Sequence, residues 1–310
     1  MKIDAVITWV DGNDSNHIKK MAKYLPDDTN TKSRDIKDRY SQVNEIEYAV
    51  KSIMKFAEFI NKIFIVTDNQ TPEFIKGVDY PNVIIIDHKE IFGKYTKYLP
   101  TFNCLPIETM MVNIPNLSER FIYFNDDCFL SKRVEITDFF IEEKPVLRGR
   151  WENFYENIWY EKIKKRVTSK ERKYGYKLGQ QNIARELGFN KYFKFDHTPH
   201  PLRKSTIQKY FKINKDLEEI NVKHRFRHVD QFTLQGLANH LEIRNNTCVL
   251  KHKYQLLYIQ SYKKPLFYYK LRCLISLCNK NVKFVCLQSL DKASNSKLVF
   301  FKEWLTKVIS

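Results

Sequence analysis

The chain has 310 residues, enough to bury a full core, and its 43% hydrophobic, 14% aromatic and 29% charged residues exclude wholesale disorder. A formal charge of +17 requires an anionic partner, whether nucleic acid, an anionic membrane surface or a phosphorylated substrate. No stretch approaches the ~20 apolar residues of a membrane span, and the run from Ala5 to Val10 is too short for a signal peptide. The expectation is a cytoplasmic protein, at most peripheral on the inner face of the membrane.

Ile3 to Val10 is rich in β-branched residues and halts at Asp11-Gly12-Asn13-Asp14, which predicts a buried strand and a turn. Residues 13–42 are polar and broken by Pro26-Asp27-Asp28 and Asn30. From Asn44 to Ile60 apolar residues recur at helical spacing (Ile46, Val50, Ile53, Met54, Ala57), with Asn44 as the expected N-cap. Strands follow at Ile63–Thr67, Val83–Asp87 and Phe121–Phe124, with a helix over Asn103–Asn113 ahead of the last. Such alternation predicts an α/β sheet. Ligands gather at the carboxyl ends of its strands, where Asp11, Asp68, Asp87 and Asn125-Asp126-Asp127 stand.

Beyond about residue 140 the pattern turns helical and basic. Trp151–Lys173 (with Lys162, Lys164, Lys165 and Arg166), Asn182–Leu187, Lys204–Phe211, Val229–Leu241 and Phe267–Cys278 read as helices, and Val282–Leu287 as a short strand. The expected organisation is a core over 1–140 that carries the strand-end carboxylates. A mainly helical, basic half over 141–310 packs on it without being an independent domain. Tyr262–Cys278, with Lys263, Lys264, Lys270 and Arg272 among Leu, Phe and Tyr, suits either a membrane-interface segment or a core helix with a basic face. The six cysteines form no CxxC pair and no zinc-finger spacing, so reduced, partly buried thiols are expected.

Four clusters carry candidate chemistry. Asp126 and Asp127, adjacent at a strand end, are placed to bind a hard divalent ion; a helix cap or solvated turn is the equal alternative. Glu108 sits on a short helix among apolar neighbours, where a lone Glu is usually a solvated face. In Asp196-His197-Thr198-Pro199-His200-Pro201 the prolines favour an extended segment that fixes an imidazole for acid–base or ligand work, against a pair of hydrogen-bonded loop histidines. His224-Arg225-Phe226-Arg227-His228 offers guanidinium forks for phosphate, or merely a basic surface patch.

Together these blocks resemble the Stealth family of sugar-phosphate transferases. This family builds bacterial capsules and exopolysaccharides, and the animal GlcNAc-1-phosphotransferase α/β subunit is a distant member. The first block is Ile3–Asp14; the second runs from Arg39-Tyr40 through Ile63–Gln70, Leu99–Glu108 and Phe121–Asp127; the third spans His197–His200 to Arg227. The fourth, Lys283–Leu287, departs from the family, which often places Asn-Asp where this chain has Gln288-Ser289-Leu290-Asp291. The resemblance implies a Rossmann-like core, Mg²⁺ or Mn²⁺ dependence, and catalytic residues matching Glu108, Asp127, His197 and Arg227. Asp126 and Asp127 are then the expected metal ligands, and Asp11, Gly12, Asn125, His200 and Arg225 the expected donor-binding set. The implied reaction moves a hexose-1-phosphate from a UDP-sugar to a polysaccharide or lipid-linked acceptor and releases UMP. A metal-dependent glycosyltransferase releasing UDP would use similar parts. A nucleic-acid binder is disfavoured because the basic residues are interleaved with acidic ones along the chain.

Overall fold

The computed structural model describes residues 2–25, 43–158, 175–252 and 255–310. Arg39, Tyr40 and the whole basic stretch from Lys162 to Lys173 lie outside the described residues, and of the helix expected over Trp151–Lys173 the first two residues are instead strand. In chain order the first elements are β1 (Ile3–Thr8), α1 (Ser15–Ala22), α2 (Glu45–Phe56), β2 (Ile60–Thr67), β3 (Val83–Asp87), α3 (His88–Phe92) and α4 (Cys104–Met110). Next come β4 (Arg120–Asn125), β5 (Cys128–Leu130), β6 (Phe140–Ile141), β7 (Lys144–Glu152), α5 (Tyr176–Glu186), β8 (Tyr192–Phe195) and β9 (His200–Arg203). The remainder is α6 (Lys204–Ile213), α7 (Lys215–Val222), α8 (Leu234–Arg244), β10 (Val249–Lys251), β11 (Leu256–Ile259), α9 (Leu266–Cys278), β12 (Phe284–Leu287) and α10 (Asn295–Ile309).

The architecture is a Rossmann-like α/β core: a five-stranded sheet in the order β3-β2-β1-β4-β9, parallel except for β9, which runs antiparallel to β4. β1 and β4 are buried on both faces, as expected of near-continuous apolar runs in a parallel sheet. Their alternation divides the core. Ala5, Ile7, Ile122 and Phe124 face α2, whereas Val6, Phe121 and Tyr123 face α4 and α8. Asp4, fully buried in β1, is satisfied by the amide of Ser118 at 2.7 Å and the Asn61 side chain at 2.8 Å.

Several expectations change. β1 ends at Thr8 rather than Val10, and past its end the Trp9 amide still donates to the Val66 carbonyl. Asn44 holds the N-cap position in left-handed backbone (φ 64°) without a side-chain bond, so it ends the preceding chain direction but does not cap. The helix expected from Val229 starts at Leu234, because Thr233 accepts from the Gly236 amide and fixes the start there. The helix expected from Asn182 begins earlier, at Tyr176, and the strand expected from Val282 begins at Phe284. The second half also carries strands as well as helices. β9 extends the core sheet, β6, β7, β8 and β10 form a second sheet, and β5, β11 and β12 a third. All six cysteines are free thiols, three of them buried.

The segment around Lys263 to Cys278 forms α9, the crossover between the parallel strands β11 and β12. Tyr269, Cys273 and Ser276 pack inward. No described helix is long and apolar enough to cross a membrane.

Candidate active site at the sheet's switch point

β1 lies between β2 and β4, so the connections leave it in opposite directions. Parallel sheets open a crevice at such a reversal, past the carboxyl ends of the two strands. The paired ends here are Thr8 and Asn125, followed at once by Asp126 and Asp127. Two register positions back, Tyr123 points toward α4. Its hydroxyl donates to Glu108 Oε1 at 3.2 Å and lies 2.9 Å from Thr8 Oγ1. Glu108 is therefore no solvated face: it is 6% exposed and bonded to the sheet. Burial pushes its carboxyl up to about 7.

The second half supplies the imidazole and the guanidinium. β7 and β8 run antiparallel, with Gly149 opposite Phe195, and the chain bends just past β8 at His197. The His197 ring lies between Tyr176 (4.9 Å, 22°) and Tyr258 (4.7 Å, 18°), and burial among them holds its pKa down at about 4. It is thus neutral, and able to take a proton, at physiological pH. Arg227 rides on a loop pinned to the start of α4. Phe102 donates its amide to the Arg225 carbonyl (2.8 Å) and stacks on Phe226 (5.4 Å), and the Asn103 side chain donates to Gln231 (2.8 Å). This pinning brings Arg227 Nη2 to 3.4 Å from Cys104 Sγ, four residues before Glu108.

Glu108, Asn125, Asp126, Asp127, His197 and Arg227 all line one cleft of about 900 Å³. Asp11, Gly12, His200 and Arg225 are not in its lining. The Asp11 amide donates to Gln70. His200, in β9, is buried against Tyr123 and Phe195 and held down at about 3 by that burial. The Arg225 guanidinium donates to the carbonyls of Lys97 and Leu99 and covers the Tyr24 ring.

The cleft is electrostatically two-sided. Arg150, Lys177, Lys194, Arg227 and Lys292 line it alongside Glu45, Asp126, Asp127 and Asp291. Burial, and then the neighbouring Asp127, raises Asp126 to about 7; burial raises Asp127 too. Two adjacent carboxylates in low dielectric resist losing both protons unless a cation joins them. The residues therefore fit a hard divalent ion with oxygen ligands, Asp126 and Asp127 first among them.

Glu45, at the first turn of α2, is the residue sequence reasoning missed. It is 7% exposed, and burial followed by Asp126 and Asp127 pushes it up to about 9. Only the distant pairing of α2 with the β4 end reveals it, since a Glu at a helix start otherwise reads as dipole compensation. In chelator, its raised folded pKa contributes stability that is fully present below its unfolded value of 4.5 and lost as pH rises through 9. Glu45→Gln should therefore lose less melting temperature than the unsubstituted chain between about pH 5 and 9, the residual decline belonging to the other raised carboxyls, Asp126, Asp127 and Glu108. Calorimetry in EDTA across that range checks this, and parallel declines would refute it.

With the geometry in place, two conserved regions match: Stealth protein CR1 over residues 1–29 and Stealth protein CR2 over residues 39–147. The third and fourth blocks lie outside those ranges. The capsular polysaccharide phosphotransferase LcbA of Neisseria meningitidis is 45% identical over 141 residues, covering 45% of this chain and 38% of that protein. The receptor polysaccharide phosphotransferase WefC of Streptococcus oralis is 32% identical over 247 residues, covering 73% of this chain and 74% of that protein. The chain thus spans well under half the length of the first relative. Among solved structures, the apo WbbM bifunctional glycosyltransferase superposes with a TM-score of 0.50 at 9% identity, covering 100% of this chain and 50% of that one. That likeness is one of fold alone.

Proposed function

Since the chain belongs to the Stealth family, we propose that it is a polysaccharide phosphotransferase moving a hexose-1-phosphate from a UDP-sugar to a hydroxyl of a growing capsular or exopolysaccharide, or a lipid-linked acceptor. The observation that carries this reading is the convergence of Glu108, Asp127, His197 and Arg227, drawn from both halves of the chain, on one cleft with mixed charge. A substrate with a pyrophosphate needs cations, and a metal-bound one needs carboxylates.

In this reading the acceptor oxygen attacks the sugar-proximal phosphorus, a new P–O bond forms, and the bond to UMP breaks. His197, held neutral by burial, takes the hydroxyl proton. Arg227 presents its planar fork to the equatorial oxygens, on which negative charge accumulates. Glu108, bonded to Tyr123, orients the donor sugar or the proton acceptor. Asp126 and Asp127 would hold Mg²⁺ or Mn²⁺, which when bound neutralises diphosphate oxygens.

The transfer is tested by incubating the full chain with a panel of UDP-sugars, Mg²⁺ or Mn²⁺, and acceptor oligosaccharides. UMP and a phosphodiester product are expected. UDP with a new glycosidic bond would overturn the reading in favour of glycosyl transfer.

A further inference from the structure

The exposed face of α9 gathers six exposed large apolar side chains, Phe267, Tyr268, Leu271, Leu274, Ile275 and Leu277, and none of them lines the cleft. At about 100° per residue, Phe267, Leu271, Leu274, Ile275 and Cys278 fall within one arc, opposite the inward-packed Tyr269, Cys273 and Ser276. Phe267 is 71% exposed, Leu271 53%, Leu274 58% and Ile275 57%. Surface helices normally turn such a stripe to the core and polar residues outward; here a stripe of large apolar side chains faces water over three turns. The helix is not loosely attached. Lys132 Nζ donates to the carbonyls of Ser276, Asn279 and Val282 at 2.7–3.0 Å, fastening its last turn to the body.

The charge around the stripe selects its partner. From Leu256 to Leu290 the sequence has no Asp or Glu, and it carries Lys263, Lys264, Lys270, Arg272 and Lys280 besides Lys283, which pairs with Asp138 in the body of the protein. Lys270 and Arg272 fall on the two borders of the apolar arc, where long side chains reach outward while their stems lie along the apolar surface. We propose that α9 docks this protein on an anionic lipid surface, its apolar arc in the acyl boundary and its basic borders among the headgroup phosphates. A second copy of the chain fits poorly. A two-fold contact through this face sets the same basic borders against each other, with no acidic side chain on the segment to offset them.

The placement has a geometric consequence for access. β11 leads into α9, and its Tyr258, with Gln260 just beyond, lines the cleft; Lys263 follows three residues later. The N-terminal end of α9 and this wall of the cleft therefore both follow the carboxyl end of β11. The inference stands apart from the transfer reaction and is read without substrate.

The test is co-sedimentation of the full chain with vesicles of phosphatidylcholine alone or with phosphatidylglycerol added, together with sedimentation velocity of the free protein. The expected result is binding to the anionic vesicles, weakened by salt, and little to the neutral ones. Leu271→Ser with Leu274→Ser, two exposed positions whose replacement leaves the core intact, should lower vesicle affinity about tenfold or more. Lys270→Glu with Arg272→Glu should do the same. Equal sedimentation with both vesicle types, no sedimentation, or binding untouched by these pairs overturns the proposal. So does a dimer of the free protein that the Leu271, Leu274 pair dissolves, since the stripe then belongs to a second copy.

Discussion

Asp127→Asn is expected to lower the rate of transfer by about 10²–10³-fold, the loss typical of removing a charge that stabilises a transition state, while leaving the fold at least as stable as before. The second half of that statement separates a functional residue from a structural one. Asp126 and Asp127 stand together where burial and mutual repulsion raise the first to about 7 and the second in the same direction. Removing one negative charge relieves the other, so in chelator the variant should melt no lower than the unsubstituted chain. Added Mg²⁺ should raise the melting temperature of the unsubstituted chain and much less that of the variant, because a ligand stabilises only the state that binds it. Turnover within a few-fold of normal, or an equal Mg²⁺ response, would remove Asp127 from the site.

Gly149→Ala is expected to destabilise the fold by about 1–3 kcal/mol and to cut activity at a position with no functional group. A Cβ at residue 149 would stand 2.4 Å from the Lys194 carbonyl oxygen and 2.8 Å from the Phe195 Cα. Both obstacles are backbone, so β7 and β8 must separate rather than one side chain turn aside. β8 carries Lys194 into the cleft and hands the chain to His197. Calorimetry and turnover should fall together; an unchanged variant would mean that the strands slide without disturbing the site.

These two residues show what the sequence makes readable. Asp127 is visible because it follows an apolar run that can only be a buried strand, and strand ends in α/β sheets are where polar clusters have chemical work. The same logic found β2, β3 and β4 and, through the family blocks, gathered Glu108, His197 and Arg227. Gly149 is invisible for the opposite reason. Its constraint comes from a partner strand more than forty residues away, and no local periodicity encodes that pairing. Glu45 and the aromatic partners of His197 share this blindness. Tyr176 begins a helix whose start was misplaced, and Tyr258 sits in a short strand that pairs with β12. The basic, helical texture of the second half likewise hid strands too short to show alternation, such as β10 and β11.

The clamping of His197 between two tyrosine rings bears on when disorder is lost. A histidine on an open loop samples several rotamers and surrenders them only as its substrate arrives, a penalty that weakens binding or slows the reacting step. An imidazole already flattened between rings on both faces, 4.9 and 4.7 Å away, gave up that freedom when the chain folded. What is left to the incoming hydroxyl is alignment along the ring's own edge, so little entropy remains to be surrendered in reaching the attacking geometry.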